Sequence, residues 1–180
     1  MTRMLERYEE RLTGLPYPVT LIAAATEVTH PRTGAVLGVA VPESEELAAA
    51  VALALCFMPV RLLGAEVRFI RRVLGMTGQD LAAAVEMDPA TLSRWERGKQ
   101  DVGVWADKAV RMAAVLRLQD RAPGSSLRPA DVVALRLAPR AASVFPAIEV
   151  RLAGDGGEEG SGGVRSVAGY DALARLAVAA

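Results

Sequence analysis

Two apolar runs near the start of the chain have the composition of β-strands. Residues 19–28 and 35–41 are rich in β-branched side chains, and Pro31 and Gly34 stand between them. Two such runs around a Pro/Gly turn predict a β-hairpin, although the alanines of the first run also suit a helix. The polar residues 1–12 predict either a short helix or a loose arm.

The longest apolar run covers residues 47–60. Ser44, Glu45 and Glu46 precede it, and a capping hydroxyl followed by negative charge favours a helix start. Pro59 predicts where the helix ends. The run is shorter than the roughly 20 residues of a membrane span, and it is apolar on nearly every side. It therefore predicts a buried helix, packed against the hairpin, the helices that follow or a second subunit.

The next pattern predicts two short helices with a glycine between them. Residues 65–74 repeat apolar side chains at helical spacing, and Gly75 stands where a left-handed residue ends a helix. Thr77 followed by Asp80 predicts a capped start of the second helix. The side chains expected to face inward are Val67, Ile70 and Leu74 in the first helix and Leu81, Ala84 and Val85 in the second.

A third short helix is predicted after a turn at Glu86 and Met87. Asp88 suits its N-cap, and Pro89 suits its first turn, where a missing N–H costs nothing. Gly98 is expected to close it. Its inward side chains are expected to be Leu92 and Trp95, and its outward ones Ala90, Thr91, Arg94 and Arg97.

Weaker patterns predict the remaining elements. Residues 104–118 predict a helix whose inward positions are Ala106, Val110, Ala113 and Leu116. Residues 121–127 predict a linker, and residues 129–137 a short helix. The chain is expected to end with a strand at 147–152, a flexible glycine-rich loop at 154–163, a second strand at 164–167 and a helix at 171–178.

These elements predict a mainly α protein of the α+β class. Aromatic residues make up only 4% of the chain, so the core must be built from Ala, Val and Leu. We predict three segments. They are an N-terminal hairpin with the apolar helix (1–59), the group of short helices (60–120) and a C-terminal α/β extension with no assigned role (121–180).

Charge is balanced over the whole chain, with 21 basic and 21 acidic residues. Locally it is not. Residues 60–121 carry eleven Lys/Arg against eight Asp/Glu, whereas residues 1–59 carry four against seven. The positive excess coincides with the short helices, where contacts with phosphate groups would need it.

Several classes of protein are disfavoured by single residue types. One cysteine, Cys56, excludes an intramolecular disulfide and a cysteine-based zinc finger, and its apolar neighbours predict a buried, inert thiol. His30, the only histidine, has no evident triad or metal partners, so we expect neither an enzyme nor a metal or cofactor site. The charged N-terminus is unlike a signal peptide, and we expect a cytoplasmic protein without a membrane segment.

The stretch MTGQDLAAAVEMDPATLSRWERGK resembles the Xre/Cro-type helix-turn-helix of phage repressors and bacterial regulators. The matching positions are Thr77, Leu81, Ala82, Thr91, Leu92, Ser93, Arg94, Trp95, Glu96 and Gly98. The flanking GAEVRFIRRVLG and ADKAVRMAAVLRL are similar to the helix-turn-helix half of MqsA/YgiT-type antitoxins. This likeness covers about residues 60–118 and implies a multi-helix domain that places its last short helix in the major groove of DNA.

The resemblance also implies which residues touch DNA. The base-reading positions would be Pro89, Ala90 and Arg94, with Arg94 the strongest candidate because a guanidinium matches the O6/N7 edge of guanine. The positions expected to bind phosphates are Thr77, Gln79, Thr91, Arg97 and Lys99. Those contacts would set affinity and register and not the choice of sequence.

The chain departs from these families at three points. Gly78 stands where the family has a phosphate-binding glutamine, but the N–H groups near Thr77 would still attract an anion. Glu86 replaces the usual turn glycine and brings an acid near DNA. The antitoxins commonly hold a cysteine-ligated zinc in their N-terminal half, and a chain with one cysteine lacks that site.

The sequence thus predicts a sequence-specific transcriptional regulator that binds double-stranded DNA as a homodimer. The apolar helix at 47–58 or the C-terminal strands would form the dimer surface. The alternative is an antitoxin-like interaction module that grips a cognate toxin or another protein, with DNA binding secondary. An operator sequence and an effector are not legible in the sequence.

Overall fold

The computed structural model describes residues 1–12, 14–41, 44–118, 121, 128–141, 145–152 and 170–176, with the backbone alone for residues 44, 152 and 170–176. Within this part the fold is mixed α+β. Its helices are α1 (Ser44–Cys56), α2 (Gly64–Val73), α3 (Gly78–Ala84), α4 (Pro89–Glu96), α5 (Val104–Leu118) and α6 (Pro129–Ala134). Its strands are β1 (Thr2–Glu10), β2 (Val19–Thr29), β3 (Val36–Ala40), β4 (Pro146–Leu152) and β5 (Tyr170–Leu176).

Strand β2 organises the sheet. β1 runs antiparallel along one edge of β2. The other edge is shared, since β3 pairs antiparallel with Thr26–Thr29 and β4 pairs parallel with Thr20–Ile22. β5 pairs antiparallel with β4. The predicted hairpin is confirmed as β2 and β3, but it is part of a five-stranded sheet and not a small separate unit.

Two predicted elements at the chain ends are wrong. Residues 1–12 contain the strand β1, and residues 170–176 form the strand β5 where a helix was expected. β1 pairs with β2 and β5 pairs with β4, and such strand pairing overrides local propensity. Strand β4 and helix α6 confirm the predictions at 147–152 and, in shorter form, 129–137. The predicted loop at 154–163, the strand at 164–167 and most of the linker at 121–127 lie outside the described residues.

The apolar helix α1 is buried, as predicted. Leu47 and every residue from 49 to 56 are at most 5% exposed. α1 contacts α2 and α5 on one side and β4 and β5 on another. Because these contacts use the whole apolar surface, the prediction that α1 forms a dimer surface is wrong. Cys56 is among the buried residues, and burial raises the pKa of its thiol to about 12.

Helix α5 exposes a different face from the one predicted. Leu116 is exposed, and Ala106 and Ala113 are only partly covered. The residues that face the core are Asp107, Val110, Arg111, Ala114, Val115 and Leu118. Sequence periodicity failed because charged residues are normally assigned to the solvent side, whereas Asp107 and Arg111 are both fully buried.

Arg111 joins α5 to the end of α1. Its guanidinium is ion-paired with Asp107. It also donates to four carbonyl oxygens, those of Leu55 (3.1 Å), Cys56 (2.9 Å), Met58 (2.7 Å) and Val60 (2.5 Å). Asp107 Oδ2 accepts the N–H of Leu62 at 2.7 Å. These bonds satisfy carbonyl groups left open where α1 ends, and they fix the connection from α1 to α2.

The C-terminal strands and the N-terminal strands share one sheet, since β4 pairs with β2. The predicted segment boundaries at 59/60 and 120/121 stay predictions.

No helix in the described part of the chain is both long and apolar enough to cross a membrane.

Candidate nucleic-acid interface

Helices α2, α3 and α4 end in the same way. In each, the residue after the C-cap has a positive φ: Gly75 at 68°, Glu86 at 51° and Gly98 at 66°. In each, the next N–H bonds to the carbonyl five residues earlier: Met76 to Arg71 (3.1 Å), Met87 to Ala82 (2.8 Å) and Lys99 to Arg94 (2.9 Å). This is the Schellman arrangement, in which glycine is the favoured left-handed residue. The end signals at Gly75 and Gly98 are confirmed, and the turn at Glu86 uses a non-glycine residue in a glycine conformation.

The predicted starts of α3 and α4 are also confirmed. Thr77 Oγ1 accepts the N–H of Asp80 at 3.1 Å, and Asp80 Oδ2 accepts the N–H of Thr77 at 2.9 Å. Asp88 Oδ2 accepts the N–H of Thr91 at 3.1 Å, with Pro89 in the first turn of α4. One inward prediction for α3 is wrong, because Ala84 is exposed and Ala82 is buried in its place.

Helices α2 and α4 are locked together at their facing sides. Glu96 accepts a bidentate pair of bonds from Arg71, with Nε at 2.6 Å and Nη2 at 2.9 Å, and Arg68 approaches it at 3.4 Å. Gly64 allows the close approach, since a Cβ there would lie 1.7 Å from the carbonyl oxygen of Trp95. Arg68 and Arg71, two of the three arginines of α2, are therefore paired within the domain, whereas Arg72 is exposed.

The outer face of α4 is the candidate DNA-reading surface. Leu92 and Trp95 are buried, as predicted, and Pro89, Ala90 and Arg94 are exposed. Ala90 and Arg94 are one helical turn apart on the side away from the core. The Arg94 guanidinium donates to Thr91 Oγ1 at 2.6 Å and to Gln100 Oε1 at 3.2 Å. Both acceptors are uncharged side chains, and Gln100 is exposed while Thr91 is half-buried.

The positions expected to bind phosphate differ in their solvent exposure and in the hydrogen bonds they already make. Arg97 and Lys99 are exposed at the end of α4, where Arg97 Nε donates to the carbonyl of Ser93 at 3.0 Å. Gln79 is exposed on the first turn of α3. Thr91 is half-buried and its hydroxyl donates to Asp88 at 3.2 Å.

Thr77 is the least suitable of these positions. Its N–H and its hydroxyl both donate to Asp80, at 2.9 Å and 2.6 Å. The hydroxyl and backbone bonds from Thr77 lower the pKa of the Asp80 carboxyl, which therefore stays charged. The donors of Thr77 are therefore used within the protein, and the phosphate contact expected at Thr77 stays a prediction.

A buried polar cluster beside α2 was missed from the sequence. Tyr17 donates to Glu66 Oε1 at 2.5 Å, the Leu63 N–H donates to Glu66 Oε2 at 2.8 Å, and Arg140 is ion-paired with Glu66. Burial, reinforced by Glu66, raises the pKa of Tyr17 far above its usual range. The three side chains come from distant parts of the chain, so no local sequence pattern predicts the cluster.

Comparison with known families supports this arrangement. Residues 62–123 match the family model of a helix-turn-helix domain, which is about a third of the chain. No curated protein and no solved structure matches the chain. The matched segment contains α2 to α5 and is similar to the helix-turn-helix domains found in DNA-binding regulators. The closer likeness to MqsA/YgiT-type antitoxins stays a prediction.

Proposed function

We propose that this protein is a sequence-specific transcriptional regulator of the Xre/Cro type that reads the major groove of DNA with α4. The observation that carries the proposal is the outer face of α4, where Arg94 stands exposed on a helix whose opposite face is anchored by Trp95 and Glu96. A guanidinium held at a fixed place on a rigid helix suits bidentate recognition of guanine. Ala90, one turn earlier, suits contact with a thymine methyl group.

Affinity would come from the cations at the end of the same helix. Arg97 and Lys99 are exposed close to the left-handed Gly98, which turns the chain there. Exposed acids lie nearby: Asp80 is on α3, and Glu86 and Asp88 are in the turn between α3 and α4. With basic and acidic side chains side by side, the attraction of this surface to DNA phosphates would be moderate. The preference for one DNA sequence would then depend mainly on Arg94.

Selection of bound duplexes from a random pool tests the proposal. The wild-type protein should enrich a short motif, and Arg94→Ala should lose preference at one position, by about 1–3 kcal/mol. Arg97→Ala is the matched control, which should weaken binding of all sequences alike and reduce the salt dependence of the binding constant by about one unit. No enrichment by the wild-type protein contradicts sequence-specific reading, and equal enrichment by Arg94→Ala contradicts the role of that residue.

The proposal includes a homodimer joined through α5. The eight residues of α4 cover only a few base pairs, and paired readers about 34 Å apart are the usual solution. The outer side of α5 carries Trp105 (85% exposed) and Leu116 (57% exposed), with Ala109 and Met112 between them at helical spacing. A two-fold contact with the same face of a second copy would remove both large side chains from water.

Sedimentation measures this part of the proposal. The wild-type protein should sediment as a dimer at micromolar concentration and Trp105→Glu as a monomer, whereas Leu37→Glu, at an exposed site on β3, should leave the dimer intact. If the wild-type protein sediments as a monomer, the proposed dimer is contradicted. If that monomer binds DNA without sequence preference, the exposed Trp105 face favours the antitoxin-like alternative, in which another protein covers it.

A further inference from the structure

The exposed side chain of Arg94 is bonded to two polar side chains, one before it and one after it in the chain. Its Nη2 donates to Thr91 Oγ1 at 2.6 Å, and its Nε donates to Gln100 Oε1 at 3.2 Å. Because every nitrogen of an arginine side chain is a donor, Gln100 must present its amide oxygen here. Two acceptors at different nitrogens restrict the rotation of the guanidinium.

Gln100 reaches Arg94 because the chain turns back after α4. Gly98 has a φ of 66°, and the Lys99 N–H donates to the Arg94 carbonyl at 2.9 Å. In a continued helix, residue 100 would lie about 9 Å beyond residue 94 along the axis and on another face. The left-handed turn at Gly98 therefore brings an acceptor back to the side of α4 that carries Arg94.

The hydroxyl of Thr91 is oriented by the start of α4. It donates to Asp88 Oδ2 at 3.2 Å, and the same carboxylate oxygen accepts the Thr91 N–H at 3.1 Å. A hydroxyl group has a single hydrogen, so with that hydrogen on Asp88 a lone pair remains for Arg94. Asp88, Thr91, Arg94 and Gln100 thus form one continuous chain of hydrogen bonds.

This arrangement leaves donors of Arg94 for a DNA base. Two of the five N–H donors of the guanidinium are used, and no described residue accepts from Nη1. Guanine presents O6 and N7 side by side in the major groove, and the terminal nitrogens Nη1 and Nη2 can supply the matching pair of donors. The bonds to Thr91 and Gln100 therefore need not break when Arg94 contacts a base.

We propose that Thr91 and Gln100 are positioning residues that set the base preference of Arg94 by fixing its guanidinium before DNA binds. A free arginine side chain loses rotational freedom when it is immobilised on a base, whereas a side chain that is already held loses less. This inference rests on the proposed reading of DNA by α4. It gives Thr91 a role other than the phosphate contact that the resemblance implies.

Variants that remove one acceptor and keep the side-chain shape test this role. The readout is the ratio of dissociation constants for the selected duplex and for a duplex changed at the base pair where Arg94→Ala loses preference. Thr91→Val and Gln100→Met should each lower that ratio about 2–10-fold, which is the net worth of one hydrogen bond. Thr91→Ser and Gln100→Glu keep an acceptor, so they should keep the ratio.

The same two variants in an Arg94→Ala background separate positioning from direct contact with DNA. There both should leave base preference unchanged, because no guanidinium remains to be positioned. A Gln100→Met effect that persists in this background indicates a direct base contact. Equal weakening of both duplexes by Thr91→Val, with the ratio kept, indicates a phosphate contact alone. Either result overturns the proposal, and so does an unchanged ratio for Gln100→Met.

Nuclear magnetic resonance on the free protein distinguishes a failure of this inference from a failure of the proposed function. The Arg94 Nε–H should have a higher order parameter than that of Arg117, an exposed arginine with no hydrogen bond among the described residues, and Gln100→Met should remove the difference. If the wild-type protein selects no motif, the proposed function fails and the positioning role fails with it. If it selects a motif while Arg94 is as mobile as Arg117, only the positioning role fails.

Discussion

Substitution of Arg111 by methionine should strongly destabilise the fold. Methionine fills a similar elongated volume, so the change removes the charge and the donors with little loss of packing. It leaves the Asp107 carboxylate fully buried, with the Leu62 N–H at 2.7 Å as its remaining described partner. It also removes the donor from the four carbonyl oxygens at the end of α1.

The magnitude follows from those losses. Removing one partner of a buried ion pair costs about 3–5 kcal/mol, because the other charge stays uncompensated. The abandoned carbonyl groups place the expected loss at the upper end of that range, about 5 kcal/mol. For a chain of this size, each kcal/mol lowers the melting temperature by about 2–4 °C, so Arg111→Met should melt about 10–20 °C lower. This is a large part of the 5–15 kcal/mol typical of a folded domain.

Urea unfolding followed by circular dichroism measures the effect. Arg117→Met, an exposed site on the same helix, is the matched control and should change the free energy of unfolding by less than about 0.5 kcal/mol. Adding Asp107→Asn to Arg111→Met should recover about 1–2 kcal/mol, since the unpaired charge is then gone. A loss below about 1 kcal/mol for Arg111→Met would refute the view that this ion pair holds α1, α2 and α5 together.

Three further predictions concern the helix-turn-helix itself. Glu86→Gly should raise the free energy of unfolding by up to about 1 kcal/mol in urea titrations, because glycine adopts the positive φ at this turn without strain, and Gly75→Ala should lower it by a similar amount. Gly64→Ala should destabilise by about 2–3 kcal/mol or more, since its Cβ would collide with the Trp95 carbonyl, whereas Gly103→Ala meets nothing within 4 Å and should be tolerated by the same measurement. Gly78→Gln should strengthen DNA binding about 2–10-fold in fluorescence anisotropy, because the site is open and a restored side-chain bond to phosphate is worth about 0.5–1.5 kcal/mol; unchanged affinity would contradict a phosphate near this turn.

The sequence by itself determined the elements whose signals are local. The caps at Thr77 and Asp88 and the left-handed glycines Gly75 and Gly98 bond to residues within five positions along the chain. Such contacts depend on neighbouring residues alone, so they are legible in the sequence. The inward positions of Leu92 and Trp95 followed from helical period, and so did the exposed position of Arg94. The base-reading role of Pro89, Ala90 and Arg94 is implied by the resemblance to the Xre/Cro-type helix-turn-helix, and it stays a prediction.

The strand conformation of β1 and β5 depends on pairing with other strands and not on local propensity. β1 is largely polar, and β5 has the helix-favouring residues Ala172, Leu173 and Ala174 at its centre. Neither carries a strong strand signal of its own. Their partners, β2 and β4, supply the hydrogen bonds that settle the choice, and β4 itself reaches β2 across more than a hundred residues. Backbone pairing of this kind depends on which strand lies adjacent in space.

Only the tertiary structure could assign the buried charges. Asp107 lies in the first turn of α5 and Arg111 one turn later, at positions where a charge normally indicates solvent. Their burial depends on carbonyl groups left open where α1 ends. Arg140 likewise reaches Glu66 across 74 residues, and its Nε and Nη1 are buried without an acceptor among the described residues. Sequence patterns record what each residue prefers on average, whereas these side chains are held by acceptors that only the folded chain brings within reach.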